Sequence, residues 1–243
     1  MTTENSHSVA ALSRRAFLAG LPLAALAACT TAPRMDLGPV APVPTTPAID
    51  PAYVAMYGPL PDERFPIPAL DLSVIDPQFL RHDVVYVGAE QPGTIVVQTA
   101  RRFVYLVREN GRAMRYGVGV GREGMELQGN AVISHKAEWP RWTPTAAMIA
   151  REPDRYARWA GGMDPGLGNP LGARALYLYR NGRDTAFRLH GTNEPRSIGH
   201  SVSSGCIRLF NHDIIDLYGR VPLGTRVLVL PVEDARPRDQ SAA

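Results

Sequence analysis

Lysine is almost absent: Lys136 is the only one, and arginine supplies the rest of the 26 basic side chains set against 23 acidic ones. That bias reads as genome composition rather than function. The net charge of +3 is mildly basic and compatible with a polyanionic neighbourhood. With no Lys/Arg run and no basic helix, nothing argues for nucleic acid as a partner. Cysteine is scarce: Cys29 and Cys206 are the only two, so one disulfide is the most the chain could form. No apolar run reaches the roughly 20 residues that a membrane-spanning helix needs. No internal repeat is visible. His82, His135, His190, His200 and His212 show no ligand spacing with cysteine or a carboxylate cluster, so neither a metal nor another cofactor is implied.

The hydrophobic share of 45% and charged share of 20% fit a soluble globular protein. A length of 243 residues allows one ordinary domain with extra segments, or two very small domains.

The first 28 residues read as an address. Ser13-Arg14-Arg15-Ala16-Phe17-Leu18 is a twin-arginine signature, followed by an apolar stretch over 18–28 that ends in small residues. Leu26-Ala27-Ala28-Cys29 resembles the lipobox of bacterial lipoproteins, in which the cysteine is diacylated and becomes the new N-terminus. The plainer alternative is a signal cut near Ala28 that leaves Cys29 free. Lipidation would leave Cys206 without an intramolecular partner, as a thiol in an oxidising compartment. The expected location is the periplasm, with a membrane anchor at Cys29. Thr30 in place of aspartate favours the outer membrane, by resemblance to a sorting rule of some Gram-negative bacteria.

Residues 29–69 carry recurrent prolines and read as a semi-rigid tether, although Tyr53, Met56, Tyr57, Phe65 and Ile67 could pack part of it on a domain. Residues 70–92 are an extension packing on the domain, with a helical turn at Asp76-Pro77. Residues 93–231 read mostly as strands, at 94–99, 102–107, 112–120, 131–137, 173–180, 185–190 and 225–230, with Asn110-Gly111 and Asn181-Gly182 as hairpin turns. Asn211 is the expected N-cap of a helix that Gly219 and Pro222 end. A short helix is expected over 145–151, and 164–172 is a Gly/Pro-rich loop. After residue 231 the tail reads as disordered. The fold class is mainly β, a sandwich or barrel-like domain with short helices and an inserted loop.

Residues 190–209, HGTNEPRSIGHSVSSGCIRL, concentrate the chemistry. A thiol attacks well only as thiolate, so Cys206 needs a base or a cation nearby. His190, ending a strand ahead of a glycine, is the best-placed base, and His200 is the runner-up. Backbone N–H groups around Ser203-Ser204-Gly205-Cys206 could form an oxyanion hole, and Arg208 could hold a carboxylate or buttress the loop. The bland alternatives are a buried cysteine, a structural histidine and a surface salt bridge.

His190-Gly191-Thr192 followed by Ser203-Ser204-Gly205-Cys206-Ile207-Arg208 resembles the catalytic motif of the L,D-transpeptidase (YkuD-type) family. Glu138-Trp139-Pro140, Trp142-Thr143-Pro144 and Asn169-Pro170-Leu171-Gly172-Ala173 resemble its proteobacterial branch. The resemblance spans roughly residues 93–231. It implies a β-sandwich-like domain acting on peptidoglycan stem peptides, with Cys206 as nucleophile and His190 as base. The Gly191 carbonyl would orient the imidazole, and the N–H groups of Ser204, Gly205 and Cys206 would form the oxyanion hole. Thr192, Ser203 and Arg208 would support the site or contact substrate, and Trp139 and Trp142 would line the groove or belong equally well to the core. The acyl group would pass to an amine of another stem or of a protein. Two readings compete: an L,D-carboxypeptidase using water, and an inactive wall-binding lipoprotein. One departure is Ser204, where the family usually has histidine.

Overall fold

Proline and apolar side chains alternate along residues 51–69, and they do not form a free spacer. In the computed structural model, which describes residues 49–121, 127–202 and 207–240, this segment is folded. Helix α1 (Pro51–Met56) is opened by Asp50, whose carboxylate accepts the Ala52 N–H, with Pro51 in the first turn, where a missing N–H is harmless. Leu60 and Ile67 pair as an isolated antiparallel bridge, and Tyr57 and Ile67 are buried. The expected tether over 29–69 is therefore corrected for residues 51–69. The prolines occupy positions that need no N–H donor, and the apolar residues between them find a core. The signal segment, Cys29 and the earlier part of the tether lie outside the described residues.

Aspartates cap two 3-10 turns, Leu72–Val74 and Pro77–Phe79, ahead of β1 (His82–Tyr86). Then come β2 (Ile95–Gln98), β3 (Phe103–Arg108), β4 (Arg112–Gly117), β5 (Gly119–Gly121) and β6 (Gly129–Glu138). An inserted arm carries helices α2 (Ala146–Arg151) and α3 (Pro153–Tyr156). Beyond it lie β7 (Arg174–Arg180), β8 (Arg183–His190), β9 (Ser201–Val202), β10 (Ile207–Arg208), helix α4 (Asn211–Arg220), β11 (Arg226–Val229) and β12 (Asp239–Gln240). Among the described residues the strands form one curled mixed sheet in the order β12-β1-β4-β3-β2-β11-β6-β7-β8-β10-β5-β9. The chain is mostly β, a half-barrel with few short helices.

Both hairpin signals are realised. Asn110 and Gly111 have φ of 59° and 65°, and Asn181 and Gly182 have 51° and 74°, the left-handed pair that matches strand twist. Strand β2 is buried on both faces. Ile95 and Val97 join the large core with Val104, Leu106 and Ile133, whereas Val96 joins Phe103 and Tyr105 on the other side. Ile214 and Leu217 of α4 close the large core at helical spacing.

Helix α4 departs from expectation at its start; at its end it stops ahead of Pro222 as expected but runs one residue past Gly219. Phe210 occupies the N-cap position, and Asn211, the first helical residue, uses its Oδ1 to accept the Ala173 N–H at 3.0 Å. Gly219 lies inside the helix, which runs to Arg220. At the carbonyl end the sole lysine, Lys136, donates to the Tyr218 and Val221 oxygens at 2.7 and 2.8 Å, so a side chain from β6 serves where glycine was expected.

The expectation of a disordered tail over 232–243 is corrected for residues 232–240, where β12 pairs with β1; residues 241–243 lie outside the described residues. Asp239 is buried and forms an ion pair with buried Arg115, while Tyr105 Oη donates to it at 3.2 Å. Gln98 Nε2 donates to the Asp234 and Arg236 carbonyls at 3.0 and 2.6 Å. The tail's charge has a partner only once β3 and β4 have folded. Removing one member of a buried pair strands the other, so Asp239→Ala is expected to lower unfolding free energy by about 3–5 kcal/mol. Urea denaturation checks this; a change below about 1 kcal/mol would mean that Arg115 regains solvent or another partner on release of the tail.

Candidate active site

A neutral, buried imidazole stands at the end of a strand. His190 closes β8, paired with Ala175 of β7 on one side and with Arg208 of β10 on the other. It is 4% exposed. Its Nδ1 lies 2.7 Å from the Gly191 carbonyl oxygen, so Nδ1 carries the proton and donates, and Nε2 keeps a lone pair. Burial, reinforced by the Arg208 guanidinium, lowers its pKa to about 4; the Gly191 and Pro170 carbonyls pull the other way. The ring is thus a free base at neutral pH.

Gly191 is held where a side chain cannot fit. Its N–H donates to the Arg174 carbonyl at 3.0 Å, and an added Cβ would stand 2.2 Å from Asn211 Oδ1. Thr192 is buried and its Oγ1 accepts the Glu194 N–H at 3.0 Å, turning the chain away from the strand. Arg208 is buried, with Nη1 2.8 Å from Glu194 Oε2. Glu194 is also 3.9 Å from Arg155 Nη2 on α3, so one carboxylate joins β10 to the inserted arm. The calls on Ser203, Ser204, Gly205 and Cys206 fall outside the described residues; these four join β9 to β10 in sequence.

His190 and Arg208 line a cleft of about 600 Å³, with Trp142, Tyr156, Leu171 and Glu194 among its walls. The inserted arm supplies one wall. Trp142 is locked by reciprocal backbone hydrogen bonds with Met163 at 3.0 and 2.7 Å. Of the two readings open for Trp139, groove and core, the structure takes core: its ring packs on Phe65 at 4.9 Å and its indole N–H donates to Glu63 at 2.9 Å. Ala186 in β8 has φ of 64° near a register shift opposite Tyr177 and Tyr179, a bulge that re-aims the strand beside the cleft. His200 is exposed and does not line the cleft. Among the described residues no three His, Cys, Asp or Glu side chains are grouped as metal ligands.

The catalytic-domain model of the L,D-transpeptidases, YkuD, matches residues 92–229. This chain belongs to the L,D-transpeptidase family. A putative L,D-transpeptidase from the ATP synthase subunits region of Fuscovulum blasticum is 43% identical over 108 residues, which is 44% of this chain and 52% of that protein. The probable L,D-transpeptidase ErfK/SrfK of Escherichia coli K12 is 34% identical over 140 residues, 57% of this chain and 44% of that protein. The family member described here thus spans about half the length of these curated relatives. A crystal structure from Brucella melitensis, described as a probable carnitine operon oxidoreductase, is 52% identical, covers 66% of this chain and 99% of that one, and has a TM-score of 0.46. That description concerns the Brucella protein; the family-model match is what assigns this transpeptidase-family chain.

Two residues beside the candidate site of this L,D-transpeptidase-family chain carry roles that the sequence did not reveal. Glu194 has no local signal beyond its closeness to His190. Asn169 stands in the quoted Asn-Pro-Leu-Gly-Ala stretch, but its role is tertiary. Its Nδ2 donates to the Pro140, Met163 and Asp164 carbonyls at 3.1, 3.3 and 3.1 Å, and its Oδ1 accepts the Leu171 N–H at 2.9 Å. That knot fixes the arm beside Pro170 and His190.

The His190 shift carries a pH signature. Its folded pKa lies below the ordinary value of 6.5, so the unfolded chain protonates first as pH falls. Its contribution to stability is complete above pH ~6.5 and lost as pH falls toward ~4, about 2–3 kcal/mol for a group this buried. Between pH 7 and 4.5, His190→Gln is expected to lose less stability than the wild type by about that amount in urea titrations.

Proposed function

We propose that this chain is a peptidoglycan L,D-transpeptidase with Cys206 as nucleophile and His190 as base. The observation that carries the reading is the neutral His190 ring, oriented by the Gly191 carbonyl in a cleft, one strand away from Ile207, the residue covalently joined to Cys206.

In this reading the Cys206 thiol proton passes to His190 Nε2. The thiolate attacks the carbonyl carbon at the L-centre of diaminopimelate in a stem tetrapeptide. Ser204, Gly205 and Cys206 N–H groups steady the oxyanion. Collapse breaks the C–N bond, the imidazolium returns its proton to the leaving amine, and D-Ala departs, leaving a thioester. An acceptor amine, from a second stem or a protein, then attacks. It loses a proton to His190, the C–S bond breaks to release the thiolate, and the imidazolium returns the proton to sulfur. The Gly191 carbonyl stabilises the transient imidazolium. Arg208, buried and paired with Glu194, buttresses this region and holds His190 neutral between turnovers.

The twin-arginine and lipobox residues support export, with the mature chain anchored through lipidated Cys29 on the periplasmic side. Thr30 favours the outer membrane. A wall-facing location suits a stem-peptide substrate.

Incubating purified protein with tetrapeptide-bearing muropeptides and reading products by mass spectrometry tests the reaction. Crosslinked or amine-linked products are expected, with Cys206→Ala slower by at least a thousandfold, roughly the scale seen when a nucleophile is removed. Tripeptide alone would identify water as acceptor, and wild-type rates in Cys206→Ala would end the mechanism.

A further inference from the structure

The inserted arm leaves the sheet at Trp139 and returns at Ala173, and both stems are gripped by one carboxylate from the N-terminal segment. The Leu60–Ile67 bridge, with N···O distances of 2.9 and 3.1 Å, presents the turn that carries Glu63. Glu63 Oε1 accepts Arg174 Nη2 at 2.7 Å, and Oε2 accepts Arg174 Nη1 and Trp139 Nε1, both at 2.9 Å. This two-pronged geometry fixes the guanidinium in direction as well as distance. Trp139 has φ of 42°, a left-handed conformation that a bulky residue keeps only when its surroundings enforce it. The Trp139 N–H donates to the Ala173 carbonyl at 2.8 Å, which closes the base of the arm.

From that base the path to the imidazole is short. The Arg174 carbonyl accepts the Gly191 N–H at 3.0 Å, and the Gly191 carbonyl accepts His190 Nδ1–H at 2.7 Å. The other carboxylate near Arg174 is Glu138, at 3.8 Å and with a side chain 61% exposed, a poor substitute for the two-pronged contact. Glu63 lies outside residues 92–229, the span of the family domain.

We propose that Glu63 is a positioning residue of the His190 site, acting through Trp139 and Arg174 to set the base of the arm and the Gly191 carbonyl. The N-terminal segment is then part of the working site rather than a spacer. The kinetic consequence rests on the reading of His190 as base; the structural consequence does not.

Ring ¹⁵N spectra of His190 and steady-state kinetics, both on the full chain, test it with Glu63→Gln. The expected spectrum changes from one Nδ1–H tautomer to a mixture, and kcat falls roughly tenfold while the protein stays folded, the scale of a small misplacement of a reacting group. Asp239→Asn, which loosens the tail without touching a cleft residue, is the stability control and is expected to keep the wild-type spectrum and a kcat within twofold. Should Glu63→Gln not fold, Glu63→Asp takes its place, since the shorter side chain cannot reach Arg174 and Trp139 together. A wild-type His190 spectrum in a folded Glu63 variant overturns the proposal, as does a change matched by Asp239→Asn. An inactive wild type would remove the proposed reaction while the spectrum still decides the role of Glu63.

Discussion

Two residues of parallel pairing hold the candidate site together. Ile207 lies beside Leu189 and Arg208 beside His190, with β5 closing the other edge of β10. Parallel neighbours cannot be joined by a tight turn, so the chain must loop out and return between them. That connection includes Thr192 and Glu194. Burial sets the register: Ile207 and Leu189 both enter the large core. A slip of one residue would turn Ile207 outward and drive Arg208 into that core.

The same pairing sets the electrostatics. Burial disfavours the charged imidazole, and the guanidinium on the strand beside His190 adds to it, so the ring stays neutral. Glu194 balances Arg208 without touching the imidazole nitrogen that faces Gly191. A base kept free of its proton, with its tautomer set by a backbone carbonyl, is suited to receiving one.

Buried arginines elsewhere follow a common rule: each meets a carboxylate from a distant part of the chain. Arg174 meets Glu63 and Arg115 meets Asp239, and the half-buried Arg81 lies 2.8 Å from Asp216. Buried ion pairs add little net stability over apolar packing, but losing one partner is costly. They therefore tie the terminal segments to the domain in one arrangement. Tyr57 adds to this on the helix side, donating to Asp213 at 3.0 Å while accepting the Arg81 N–H at 2.6 Å.

Local physics made much of this protein legible from its residues. β-branched runs and Asn-Gly pairs specify strands and left-handed turns within a few residues of chain, and β2, β3, β7 and β8 lie where those signals stand. The His-Gly step at a strand end and the Cys-Ile-Arg run were enough to point to the family. The remainder depended on partners far away in sequence. Trp139 fitted groove and core equally until Phe65 and Glu63 covered it; Asn211 looked like a cap until Ala173 claimed its oxygen. Proline-rich and charged ends resemble free chain because their stabilising contacts are invisible locally. Sequence alone determined most strands of the catalytic domain and the family to which it belongs. Only the folded chain decided which carboxylate meets which arginine, because a buried charge is tolerated only where folding delivers its partner, and that partner comes from far away in sequence.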